Sequence, residues 1–146
     1  MSDSSALPQE PVGHGSLGRV VVLNRDLFFG VKIGNQLKSI GYDVVFAKES
    51  DGFAERVRDQ PKPVLGLIDM NAGADWDAVM SLMSGDGPGV PVLAFGSHLD
   101  VEGRRAAKAA GVTRVLSNGD FHRDMVSLVQ RYALPANDQG AMSARR

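Results

Sequence analysis

The sequence contains no cysteine. That excludes disulfides, thiolate catalysis and cysteine-ligated metals together, and it fits a reducing compartment. Nor does any apolar run approach the roughly 18 residues of a membrane span. The start, Met1-Ser-Asp-Ser-Ser-Ala-Leu-Pro8, has neither the basic residues nor the apolar stretch of a signal peptide. These absences lead us to expect a soluble, cytoplasmic protein. Charge of one sign is missing too, since 16 Lys and Arg face 17 Asp and Glu. Without a strong field of either sign, neither nucleic acid nor a membrane surface is expected as a partner. The three histidines, His14, His98 and His122, show no metal-ligand spacing.

Apolar residues make up 43% of the 146, enough to bury one domain's core. Residues 1–18 are rich in Ser, Gly and Pro and lack periodicity, so a flexible N-terminal segment is expected there. A flexible tail is expected over 135–146, with a folded domain over 19–134. Within that domain a β-branched run alternates with a longer segment at helical spacing. Arg19-Val-Val-Val-Leu23 reads as a strand buried on both faces. Asp26 then suits a helix N-cap, with Phe29, Ile33, Leu37 and Ile40 along one face and Gly41 as the stop. Strands are expected over 42–47, 63–68, 90–95 and 112–116. Helices are expected from a Ser50 cap, over 75–83, over 100–110, and from Asp120 onward. Gly85-Asp-Gly-Pro-Gly89 reads as a chain breaker.

Five strands alternating with helices require a parallel sheet covered on both faces by crossover helices. The predicted class is therefore α/β, a single doubly wound five-stranded parallel sheet in the order 2-1-3-4-5. Ligand chemistry in such sheets gathers at the carboxyl ends of the strands. That leaves a short set of positions: Asn24, Arg25 and Asp26; Ala47 and Lys48; Asp69 to Asn71; Gly96 to His98; Ser117 to Gly119. Asp69 stands out, because a carboxylate at the mouth of the strand Val-Leu-Gly-Leu-Ile is costly to ionise without a partner. A simple turn cap would also account for it.

With Asp69 ending strand three, Val-Pro-Val-Leu-Ala-Phe as strand four and an Ala-rich helix before Gly111, residues 19–133 resemble the receiver domain of two-component response regulators, a flavodoxin-like fold. The resemblance implies that Asp69 is the phosphoacceptor, attacking a phosphohistidine with Mg²⁺ neutralising the transferring group. It also implies a metal shell of Asp69 and the Asn71 backbone carbonyl. The family's acidic pair after strand one falls on Asn24 and Arg25, with Asp26 one step further on. The Ser/Thr ending strand four falls on Gly96, with Ser97 adjacent. The strand-five lysine falls on Ser117, and the family's switching aromatic falls on Arg114. Replacing two carboxylates by an amide and a guanidinium weakens an oxygen-ligand Mg²⁺ site. We expect Arg25 to pair with Asp69 and fill the cation's space.

The expected function is that of an atypical, stand-alone receiver acting in signal transduction by protein contact, without an enzymatic activity of its own. Its partner would be a histidine kinase, a phosphotransfer protein or a downstream effector, and homodimerisation is left open. Mg²⁺ is the one cofactor the resemblance implies. One alternative is a conventional phosphorelay receiver phosphorylated on Asp69. Another is a small-molecule or flavin-binding module, although Asn24-Arg25-Asp26-Leu27 is not a phosphate loop. Gly13-His-Gly-Ser-Leu-Gly18 precedes a strand and so is not a dinucleotide fingerprint. Receivers usually signal through the face bearing Glu102, Arg104, Arg105, Lys108, Arg114 and Arg123 here, and Phe28 is expected to be exposed.

Overall fold

The computed structural model describes residues 16–59, 61–85 and 89–135. Residues 1–15 and 136–146, which carry most of both expected terminal segments and His14, lie outside the described residues, as do 86–88 of the breaker. The order is β1 (Arg19–Leu23), α1 (Leu27–Ser39), β2 (Asp43–Ala47), α2 (Ser50–Arg58), β3 (Leu65–Asp69), a 3₁₀ turn (Met70–Ala72), α3 (Trp76–Ser84), β4 (Val92–Gly96), α4 (Val101–Ala110), β5 (Arg114–Ser117) and α5 (Asn118–Tyr132). The strands form one sheet in the order β2-β1-β3-β4-β5, every pair parallel. This is the architecture expected from the alternation.

Because successive strand side chains point to opposite faces, the runs in β1 and β3 feed two cores. On one face Val20, Val22, Leu65 and Leu67 meet Ile33 and Leu37 of α1 and Phe121 and Met125 of α5. On the other, Val21, Leu23 and Ile68 meet Phe53 of α2 and Val79 and Met83 of α3. Fully burying such a side chain contributes about 1.5–3 kcal/mol each. Phe95 of β4 stacks on Phe121 with centroids 4.2 Å apart.

The helix starts show where local reading succeeded. The carboxylates of Asp26, Asp75 and Asp100 each accept from a first-turn amide, those of Phe29, Ala78 and Gly103. Two starts differ from expectation. Ser50 is not the cap of α2; Glu49 takes that position without a side-chain bond. The Ser50 hydroxyl instead accepts from the Asp75 amide at 2.9 Å, tying α2 to the start of α3. The last helix begins at Asn118, because Ser117 caps it by accepting from the Asp120 amide. Asp120 therefore lies in the first turn.

Arg19 heads the otherwise apolar strand β1, yet its side chain makes specific polar contacts. It is buried, and its guanidinium donates to the carbonyls of Arg56, Asp59 and Pro61. It thus shares the Arg56 oxygen with the Asp59 amide and reaches the carbonyls of Asp59 and Pro61 just beyond α2. Leu17 and Gly18 are also held, through the Leu17 amide to Gly41 and the Gly18 carbonyl to the Asp43 amide.

Candidate functional site

The carboxyl ends of β1, β3, β4 and β5 bring Asn24, Asp69, Gly96 and Ser117 to one edge of the sheet. Asp69 is 8% exposed. One of its oxygens, Oδ1, accepts from the Asn71 amide at 2.9 Å, closing the turn that follows β3. Burial pushes its carboxyl above the usual carboxylate range; the Asn71 bond opposes that shift and the Asp26 carboxylate adds to it. Both readings of Asp69 are thus partly visible: it caps its own turn, and it is a desolvated carboxylate at a strand mouth.

Asn24 is buried, but its amide turns onto local backbone. Its Oδ1 accepts from the Asp26 amide at 3.0 Å and its Nδ2 donates to the Asp26 carbonyl at 2.8 Å. Asp26 is exposed and spends its carboxylate on the cap of α1. The expectation for Arg25 fails. Its side chain is exposed and its Nε donates to the Lys48 carbonyl at 3.2 Å, with no ion pair to Asp69. The β2 end supplies a carbonyl acceptor in water-accessible space, so the guanidinium avoids the desolvation that pairing with Asp69 would require.

At the end of β4, Gly96 leaves room that Met70 occupies. A Cβ at Gly96 would lie 3.1 Å from Met70 Cβ and 3.4 Å from Cγ, with Met70 Cε nearer still. The space where a Ser or Thr side chain would stand is therefore filled by a buried thioether from the turn after Asp69. Ser97 does not slip into that role; it is exposed and its hydroxyl accepts from the Leu99 amide at 3.1 Å. Ser117 caps α5. His98 is exposed, and its carbonyl accepts from Arg104. Among the described residues, no three His, Cys, Asp or Glu side chains gather into a group that would hold a metal ion. The carboxylates a Mg²⁺ shell would draw on reduce to Asp69, with Asp26 engaged as a cap, which does not fit a cation that wants several oxygen ligands.

An aromatic stack on the α1–α5 side of the sheet was not anticipated. His122 of α5 lies 4.4 Å from the Phe29 ring and edge-on to Phe121 and Phe95. Both of its ring nitrogens are buried without a partner among the described residues. Burial lowers its pKa, Lys32 lowers it further and Asp26 opposes them. Its position on the helix face beside Phe121 and Met125 was the signal available. Phe28 is exposed, as expected. Of the basic face, Arg105 bonds Glu102, Arg123 bonds Asp120 and Asp124, and Arg114 donates to the Tyr132 hydroxyl at 3.1 Å.

No family model matches the chain, and no curated protein matches it. Solved structures do. The receiver domain of NtrX from Brucella abortus aligns with a TM-score of 0.65 at 16% identity, over 77% of this chain and 96% of its own. A putative response regulator from Chloroflexus aurantiacus J-10-fl aligns at 0.66 and 16%, over 79% and 96%. The phosphorylated cyanobacterial phytochrome response regulator RcpA aligns at 0.64 and 12%, over 80% and 94%. Against the longer NtrX structure the same match spans 27% of that chain. The fold is that of response-regulator receiver domains. Among the described residues, no helix is long and apolar enough to cross a membrane.

Proposed function

We propose that this chain is a receiver-type signalling module that works by protein contact, and that Asp69 is not an efficient phosphoacceptor. The observation that carries the reading is the set of replacements around Asp69. The Asn24 amide is folded onto the Asp26 backbone, Arg25 is directed to Lys48, Met70 fills the space beside Gly96, and Ser117 caps a helix. Phosphoryl transfer relies on positioning and on cations that neutralise developing charge. Here no cationic side chain pairs with Asp69 among the described residues, and the donor set suits Mg²⁺ poorly. The module has no enzymatic activity of its own in this reading, resides in the cytoplasm, and folds as one domain over 19–134 with segments on either side. Its partner is a histidine kinase, a phosphotransfer protein or a downstream effector.

A second reading draws on the placement of two carboxylates at the carboxyl ends of β1 and β3: Asp69 ends β3 and Asp26 follows β1, its neighbour in the sheet, and Asp26 adds to the upward shift that burial gives Asp69. A cation between them would relieve that repulsion, and Asp69 would then accept a phosphoryl group. Acetyl phosphate treatment with and without Mg²⁺, followed by peptide mass spectrometry, separates the two. The first reading expects no adduct on Asp69. A Mg²⁺-dependent adduct that Asp26→Asn abolishes would establish the second.

A further inference from the structure

A groove of about 420 Å³ runs between α1 and β2, the edge strand of the sheet. Its floor exists because α1 carries glycine at two positions one turn apart. A Cβ at Gly34 would meet the Phe46 ring at 3.5 Å, and one at Gly30 would meet it at 3.7 Å, so the ring lies close against the helix backbone. The walls are apolar and open to solvent: Leu27 is 80% exposed, Val31 56% and Phe46 36%. Three such side chains beside one concave surface are unusual for a solvated helix face, whose outward positions are ordinarily polar.

The rim is cationic. Arg25 and Lys48 stand at the end formed by the carboxyl termini of β1 and β2, joined by the bond from Arg25 to the Lys48 carbonyl. Lys38 lies in the last turn of α1, near the other end. None of the three is in an ion pair among the described residues. The one acid lining the groove, Asp26, has its carboxylate engaged by the Phe29 amide.

We propose that this groove docks an acidic, extended segment of a partner protein, with an apolar side chain seated against the exposed faces of Leu27, Val31 and Phe46 and acids at either end. Separation of the cations decides between a peptide and a small anion. The 13 residues of α1 rise about 20 Å, a distance that an extended peptide spans with about six residues, whereas a single small anion reaches one end only. The edge strand adds a second attachment. Asp43 and Ala47 bond toward β1 through the Asp43 amide and the Ala47 carbonyl, so by alternation the backbone groups of Val44 and Phe46 point away from the sheet, where an added strand would pair. The site goes beyond the reading of Asp69 and is independent of its phosphorylation.

The test uses the full chain and a capped peptide, Glu-Asp-Leu-Phe-Ile-Asp-Glu, with a counterpart in which every acid is Lys. Amide shifts on titration should map to Val31, Gly34, Phe46 and Lys48, and added salt should weaken binding. The lysine counterpart should bind roughly tenfold or more weakly. Val31→Gln puts a good helix former at an exposed position and replaces an apolar wall by a polar one, so it should lower affinity by roughly fivefold or more with the far-ultraviolet spectrum unchanged. Lys38→Glu should weaken the acidic peptide and strengthen its lysine counterpart. The proposal is overturned if the acidic peptide produces no shifts, if its shifts map elsewhere, or if folded Val31→Gln binds it as well as the wild type. It is equally overturned if wild-type protein self-associates and Val31→Gln abolishes that association, which would make a second copy the occupant. Labelling of Asp69 would leave every one of these outcomes unchanged.

Discussion

Introducing Thr at Gly96 places side-chain atoms where Met70 already sits, and the consequences for stability can be worked out from the contacts. The new Cβ lies 3.1 Å from Met70 Cβ and 3.4 Å from Cγ. The first of these atoms is fixed to the backbone, so rotation of the thioether alone does not relieve the crowding. Overpacking of this kind costs about 1–3 kcal/mol. Thr in a strand recovers part of that, within the ~1 kcal/mol range of strand propensities. The net expectation for Gly96→Thr is a loss of about 1–2 kcal/mol. Met70→Ala removes a buried side chain from beside Ala94 and Ala107, at a cost of about 2–3 kcal/mol. In the double variant the approach to Cβ remains, but the Cγ and Cε contacts are gone and Thr occupies part of their space, so Gly96→Thr should cost less in the Met70→Ala background than in the wild type. A coupling of about 1 kcal/mol should therefore appear in the cycle. Urea unfolding followed by far-ultraviolet circular dichroism measures all four proteins. Strict additivity, or a Gly96→Thr protein as stable as the wild type, would refute the claim that Met70 fills this position.

Three further outcomes follow from the same contacts. Asp69→Asn should stabilise the fold at neutral pH. Burial raises the Asp69 pKa, so the wild type loses stability as pH rises from the unfolded carboxylate value of about 3.9 toward the higher folded one. The advantage of the Asn variant in thermal melts should grow with pH across that window. His122 behaves in the opposite sense for its class: burial and Lys32 hold its pKa low, so stability falls as pH drops through the unfolded histidine value of about 6.5. His122→Phe should flatten that part of the pH–stability curve. Arg19→Met should cost about 2–3 kcal/mol by taking the side-chain donor from the Asp59 and Pro61 carbonyls, and Arg19→Lys should recover little, since one ammonium cannot reach three carbonyls.

The fold was legible in the sequence because its signals are local and repeated. β1 and β3 are short apolar runs, α1 announces itself through Asp26 and the Phe29–Ile33–Leu37 face, and parallel neighbours demand crossovers. Asp69 was legible for the same reason, as a lone carboxylate directly after Leu-Gly-Leu-Ile. The failures are non-local. Arg19 caps a helix roughly forty positions further along the chain, a contact that no window around β1 contains. Arg25 chose between a buried carboxylate and an exposed carbonyl at the end of β2, and desolvation decided it; residue type alone favours the ion pair. Met70 and Gly96 meet only because β3 and β4 are adjacent in register, with Asp69 opposite Phe95. His122 joins its stack because α5 crosses back beside α1.

The measurement that bears most directly on the account is the phosphorylation state of Asp69 after exposure of the wild-type protein to acetyl phosphate and excess Mg²⁺. Asn24 is bonded to local backbone, Arg25 is directed to Lys48, and Met70 fills the place beside Gly96. The account therefore predicts no phosphoryl adduct above the level of an Asp69→Asn control. Rapid adduct formation mapped to Asp69, dependent on Mg²⁺ and absent from the control, would contradict it.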